Sequence, residues 1–137
     1  MNYRLTFIFT LSFLSLGLLA QKDELPAVLA QKQLDAYNNR DLEKFLVNYS
    51  DSVKIYNHPK ELIVSGKAQL RTNFTGMFAN MPDLHCTLMN RMVLGNTVID
   101  QEYVIFRKNQ PPTEVFAMYV VARGKIQEVY FIEPEKK

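Results

Sequence analysis

The 137-residue chain has no tryptophan, a single cysteine, two histidines and five glycines. Each shortage closes a class of function. Cys86 has no partner for an intramolecular disulfide, so packing must hold the fold. Its neighbour His85 would point to the opposite face of a strand, which leaves the thiol without a base, and Cys86 reads as a small core residue. Two histidines without H-x-H spacing offer no metal site. There is no phosphate-cradling glycine loop and no G-x-S-x-G elbow, so neither a nucleotide cofactor nor serine hydrolysis is expected. Neither sign of charge prevails: 16 Lys and Arg against 14 Asp and Glu give a net charge of +2. With no basic patch interleaved by aromatics, nucleic acid is not an expected partner.

What is present is ordinary globular material, 47% hydrophobic and 22% charged, in a length that makes one domain with a real core. The N-terminus stands apart. Met1 to Arg4 is short and basic, and Leu5 to Ala20 (LTFIFTLSFLSLGLLA) is an apolar and hydroxyl run before Gln21-Lys22-Asp23-Glu24. It is short for a bilayer span, and a secretory signal peptide cut near Ala20 fits better than an uncleaved anchor. The expected organisation is a signal peptide over 1–20 and a single domain over 21–137. That domain would be secreted or periplasmic, with no stable membrane anchoring after cleavage. Asn48-Tyr-Ser and Asn73-Phe-Thr match the glycosylation pattern, which matters only in a eukaryotic secretory host.

Along the mature chain, Ala27, Ala30, Leu34 and Tyr37 form a helical stripe stopped by Asn38-Asn39. Asp41 caps a second short helix. Ser50-Asp51-Ser52 reads as a turn, Val53 to Tyr56 as a short strand ended by Asn57-His58-Pro59, and Glu61 to Val64 as another. A third helix opens at Ser65-Gly66 with the stripe Leu70, Phe74, Met77, Phe78 and Met81. Everything after Met81-Pro82-Asp83 is strand: a hairpin from Leu84 to Phe106 turning at Gly95-Asn96, then Glu114 to Ala122 and Lys125 to Ile132 about Arg123-Gly124. The order predicts an α+β domain, with helices packed into a strongly curved, mostly antiparallel sheet that leaves a cavity at its open end.

The hairpin carries the chemistry. Alternation puts Val98, Asp100, Glu102, Val104 and Phe106 on one face, so two carboxylates share it with bulky apolar residues, and Arg91 lies across the turn. Asp100 and Glu102 would disturb each other's titration if buried. They serve either as acid and base or ligand anchor, or as an arginine–carboxylate pair that merely satisfies the interior. His58, in the loop before Pro59, is either a base or a surface histidine.

The strings LDAYNNRDLEKFLVNYSDSVKIYN (34–57), SGKAQLRTNF (65–74), RMVLGNTVIDQE (91–102) and AMYVVARGKIQEVYF (117–131) resemble the SnoaL-like branch of the NTF2-like superfamily. Those are cone-shaped α+β domains that include ketosteroid isomerases and polyketide cyclases. The isomerase reaction requires a carboxylate base plus a Tyr and a protonated Asp as oxyanion donors. The resemblance puts Asn57 at the base, Gln33 at the Tyr, and the second donor near Met118. All three lack the required group, so that mechanism is not expected here. The same alignment turns Asp100, Glu102, Val104, Phe106, Val129 and Phe131 into the cone. Phe74 and Phe78 would close it, and Tyr56, His58 and Tyr119 would stand near its mouth.

The opposite sheet face, with Gln101, Tyr103, Ile105, Val115, Ala117, Tyr119, Val121 and Tyr130, is expected to present an apolar-aromatic surface suited to a homodimer. Tyr119 is assigned to that face in preference to the mouth. Three functions remain open at this point. One is a pocket binding a small, largely hydrophobic molecule, and another is an isomerase, cyclase or hydratase using Asp100, Glu102 or His58 for proton transfer. The third is a module that binds a partner through the sheet.

Overall fold

The computed structural model describes residues 25–134. The expected signal peptide over 1–20 lies outside them. Among the described residues three helices and six strands follow in the order α1 (Pro26–Asn38), α2 (Leu42–Leu46), β1 (Tyr49–Asn57), β2 (Glu61–Ser65), α3 (Lys67–Asn80), β3 (His85–Leu94), β4 (Thr97–Ile105), β5 (Thr113–Ala122) and β6 (Lys125–Ile132). Among the described residues no helix is long and apolar enough to cross a membrane.

Local chemistry explains most boundaries. Pro26 sits in the first turn of α1, where its missing N–H costs nothing. Asn38 ends α1 and does more than stop it. Its amide nitrogen donates to the Cys86 carbonyl at 2.9 Å while its oxygen accepts the Cys86 N–H at 2.8 Å, which pins α1 to β3. Asp41 caps α2 by accepting the Lys44 N–H. At the β5–β6 turn Arg123 and Gly124 both have positive φ, 53° and 66°, the conformation that a two-residue hairpin between right-twisted strands requires.

The strands form one sheet in the order β2-β1-β6-β5-β4-β3. Every neighbouring pair is antiparallel except β1 with β6, which run parallel, so the sheet is mixed. The stretch Ser50-Asp51-Ser52, expected as a turn, belongs to β1, and its register against β6 is irregular between Tyr49 and Lys54. Polar residues can run through a strand here because Asp51 and Ser52 face solvent. Register shifts also fall between Leu88 and Asn90, between Ile55 and Tyr56, and between Val120 and Val121. Such bulges bend strands, and the sheet curls around the helices.

The concave face and the helices share one core, in which Phe45, Val53, Leu70, Val98, Ala117 and Ile126 are almost wholly buried. Of the α3 stripe only Leu70 is fully buried; Phe74, Met77, Phe78 and Met81 are half-buried, and of these Phe74 and Met77 roof the open end of the cone.

One expected face is reversed. Cross-strand partners share a face, and β5 pairs Val115 with Glu102, Ala117 with Asp100 and Tyr119 with Val98. Val115, Ala117, Tyr119 and Val121 therefore point inward and are buried, and Phe116, Met118 and Val120 point outward. Both alternations of β5 are apolar, so periodicity alone could not choose between them.

Candidate active site

The cone encloses a cavity of about 280 Å³ between the sheet, α1, α2 and α3. Leu34, Ile55, Val64, Val104, Val115 and Val129 make its walls largely apolar. Aromatic rings crowd one side: Phe45 lies 4.4 Å from Phe74 and 4.9 Å from Tyr49 between ring centroids, and Tyr37 stands 6.1 Å from Phe74. Asn57, Asn73, Phe106, Phe131 and Glu133 reach the more open end.

Four buried polar side chains form a directional chain across the floor. The Tyr49 hydroxyl donates to Gln33 Oε1 at 3.1 Å, Gln33 Nε2 donates to Tyr119 Oη at 3.0 Å, and the Tyr119 hydroxyl donates to Glu102 Oε1 at 3.2 Å. The Cys86 thiol is hydrogen-bonded to the same carboxyl. Glu102 is 5% exposed, and every donor that reaches it is neutral.

Burial first and the neighbouring Asp100 charge second push the Glu102 pKa up to about 7, against the opposing pull of Tyr119, Cys86 and Arg91. Burial likewise raises Tyr49 and Tyr119 well above the ordinary phenol range, with Glu102 adding to both. It raises the Cys86 thiol too, which keeps the sulfur protonated and unreactive.

Asp100 has a different surrounding. Wholly buried, it takes both Arg91 Nε and Arg91 Nη2 at 2.7 Å, a bidentate pair across the β3–β4 register. Arg91 Nη1 reaches the Ala27 carbonyl at 3.2 Å and Gln31 Oε1 at 3.0 Å on α1. This cluster ties the sheet to the first turns of α1. Neither Asp100 nor Arg91 lines the cavity.

Of the residues expected at the site, the structure brings Gln33, Asn57, Phe74, Glu102, Val104, Phe106, Val129 and Phe131 to the cavity wall. It does not bring the others. Phe78 packs behind Phe74, at 5.5 Å between centroids, in the core. Tyr56 points to the outer face and stacks on Tyr130 at 4.9 Å. Met118 also points outward, one residue out of step with the inward Tyr119. His58 is exposed in the turn after β1, where its N–H donates to the Phe131 carbonyl at 2.7 Å. Tyr37, Phe45, Tyr49, Cys86 and Tyr119 were not expected at the wall. The signal for Tyr119 lay in the hairpin register, because a residue paired with inward Val98 must itself point inward. Among the described residues no three His, Cys, Asp or Glu side chains are grouped to hold a metal ion.

The sequence profile of the SnoaL-like domain matches residues 30–129. No functionally curated protein matches the chain. Among solved structures, an uncharacterized cystatin-fold protein from Novosphingobium aromaticivorans superposes with a TM-score of 0.74 at 23% identity, covering 80% of this chain and 99% of its own. A Kribbella flavida protein proposed to be a ketosteroid isomerase gives 0.69 at 19% identity, over 82% of this chain and 79% of its own. A Sinorhizobium meliloti protein proposed to be a polyketide cyclase gives 0.66 at 10%, over 76% and 93%. At such identities the likeness is one of fold.

Proposed function

The chain belongs to the SnoaL-like domain family, and on that premise we propose that its cavity binds a small, largely hydrophobic molecule by its polar end at Glu102 and Tyr119. One observation carries the reading: a roofed, mostly apolar cavity of about 280 Å³ has a single deep carboxyl, held by neutral donors. Apolar walls supply affinity and a few placed polar groups supply orientation. The test is calorimetric titration of the full chain with steroids, aromatic polyketides and fatty acids, compared with Glu102→Gln. Binding without product supports a carrier or sensor; if no hydrophobic molecule binds, the reading fails.

A second reading, proton transfer of the isomerase, cyclase or hydratase kind, is favoured by Glu102 titrating near neutrality inside a cavity. Asp100 is spent on Arg91 and His58 is remote from the cavity, so Glu102 would be the acid or base. The two relatives proposed to be an isomerase and a cyclase share this fold. Product formation abolished by Glu102→Gln, with binding retained, is the result that would establish it.

We further infer that the domain is exported through the apolar N-terminal run and pairs through the sheet. Across the outer face the registers align Met92, Ile99, Met118, Tyr130, Tyr56 and Leu62 in one apolar row over all six strands. Met92 and Leu62 are at least half exposed, and Phe116 and Ile132 flank the row. A second copy of the chain offers the same row in return, as a two-fold interface requires.

A further inference from the structure

The cavity has a carboxyl and aromatic walls but no cation. Among the described residues, no lysine, arginine or histidine lines it, whereas Glu102 lies on its floor and Glu133 at its open end. The nearest cation, the largely buried Arg91, stands outside the lining and is committed elsewhere, with Nε and Nη2 on Asp100 and Nη1 on α1. The rings of Tyr37, Phe45, Tyr49 and Phe74 stand on the same wall, and both tyrosines feel the Glu102 charge. A buried carboxylate beside clustered rings is the environment in which an alkylammonium group is held, by ion pairing and by the ring faces.

Resting on the pocket reading above, we propose that the ligand is a hydrophobic amine, whose protonated nitrogen docks on Glu102 against the aromatic wall while its apolar body fills the cavity. The charge balance decides this against the other ligand classes. A fatty acid or any other anion would meet two acidic side chains and no counter-ion. A neutral alcohol or ketone would leave the buried carboxylate unpaired. An ammonium supplies the missing charge, and above neutrality only its own desolvation is a new cost, because the carboxylate is already buried in the free protein.

Three ligands of one shape test this: 4-phenylbutylamine, 4-phenylbutan-1-ol and 4-phenylbutanoate, each titrated calorimetrically into the full chain at pH 8. The amine is expected to bind at least about tenfold more tightly than the alcohol, and the carboxylate more weakly than either. Glu102→Gln is expected to cost the amine on the order of 30-fold and the alcohol less than about threefold. A measurement on the unaltered protein stands beside the variant. At pH 7 the ammonium must find the carboxylate, so amine binding in buffers of different ionisation heat should release about half a proton, and alcohol binding none.

The titratable and charged groups facing Glu102 are Asp100 on β4, Arg91 and Cys86 on β3, Tyr119 on β5, Tyr49 on β1 and Tyr37 on α1. The tyrosines and Cys86 stay protonated at pH 7, which assigns the released proton to Glu102. Alcohol binding as tight as amine binding, or amine binding without proton release, would overturn the proposal and leave the pocket reading standing. Failure of all three ligands to bind would overturn the proposal, and the pocket reading falls with it only if the steroids, aromatic polyketides and fatty acids fail as well.

Discussion

Replacing Glu102 by Gln should stabilise the protein above neutrality, against the usual outcome of altering a buried, hydrogen-bonded side chain. In the folded state its pKa is raised from the ordinary 4.5 to about 7. The native state therefore binds this proton more tightly than the unfolded chain does. The resulting stability is complete below about pH 4.5 and is lost as pH rises through about 7. That gap corresponds to about 3 kcal/mol. Glutamine keeps the shape and the acceptor for Tyr119, but it brings an NH₂ group where the carboxyl had acceptors, at a cost of about 1 kcal/mol. The two stability curves should meet near about pH 5, with the variant ahead by about 2 kcal/mol at pH 8.5. Asp41, Glu43 and Asp51 are held below the ordinary carboxylate range by Lys44, Arg71 and Lys67, so their contributions fall away only at more acid pH. Urea unfolding followed by circular dichroism, in half-unit steps from pH 5.5 to 8.5, reads the difference directly. Parallel profiles for the two proteins would refute the burial argument for Glu102.

Asp100→Asn should lower stability by about 3 kcal/mol in the same assay, because it leaves the largely buried Arg91 without its bidentate partner. It should also move the Glu102 transition to lower pH by removing the adjacent negative charge. Phe45→Ala opens a hole among four other rings and should cost about 3–5 kcal/mol; a loss under 1 kcal/mol would mean the cluster collapses around the gap. Met118→Glu puts a charge in the middle of the outer apolar row, on the face away from the cavity. Analytical ultracentrifugation should find a dimer for the parent chain and a monomer for the variant, with ligand binding unchanged. Cys86 should react slowly with Ellman's reagent at pH 8 in the native protein and at the rate of a free thiol in urea, since burial raises its pKa.

How much of this was legible in the sequence depended on whether two face assignments differed in chemistry. On β4 they did. Val98, Asp100, Glu102 and Val104 alternate with Ile99, Gln101 and Tyr103, and the guanidinium of Arg91 across the turn marks the face where a charge would need a partner. On β5 they did not: Val115, Ala117, Tyr119 and Val121 are as apolar as Phe116, Met118 and Val120, and the polar loop before the strand hides the register. The error moved Tyr119 to the surface and Met118 to the pocket, and with them the hydrogen-bond chain that defines the floor. His58 misled for another reason. Closeness in sequence to a position matched by resemblance says nothing about direction, and the chain turns outward after Asn57. The parallel joint of β1 with β6 was also illegible, because partners more than seventy residues apart leave no local pattern.

That joint sets a timetable for the molecule. The cavity wall needs Ile55 on β1 beside Val129 on β6, which the ribosome adds more than seventy residues later. A nascent chain can fold the helices and the β3–β4 hairpin early, but until β6 arrives the inner edges of β1 and β5 both stand open. The chamber is thus completed only once β6 has been made, and a chain cut short before Val129 would lack part of its wall.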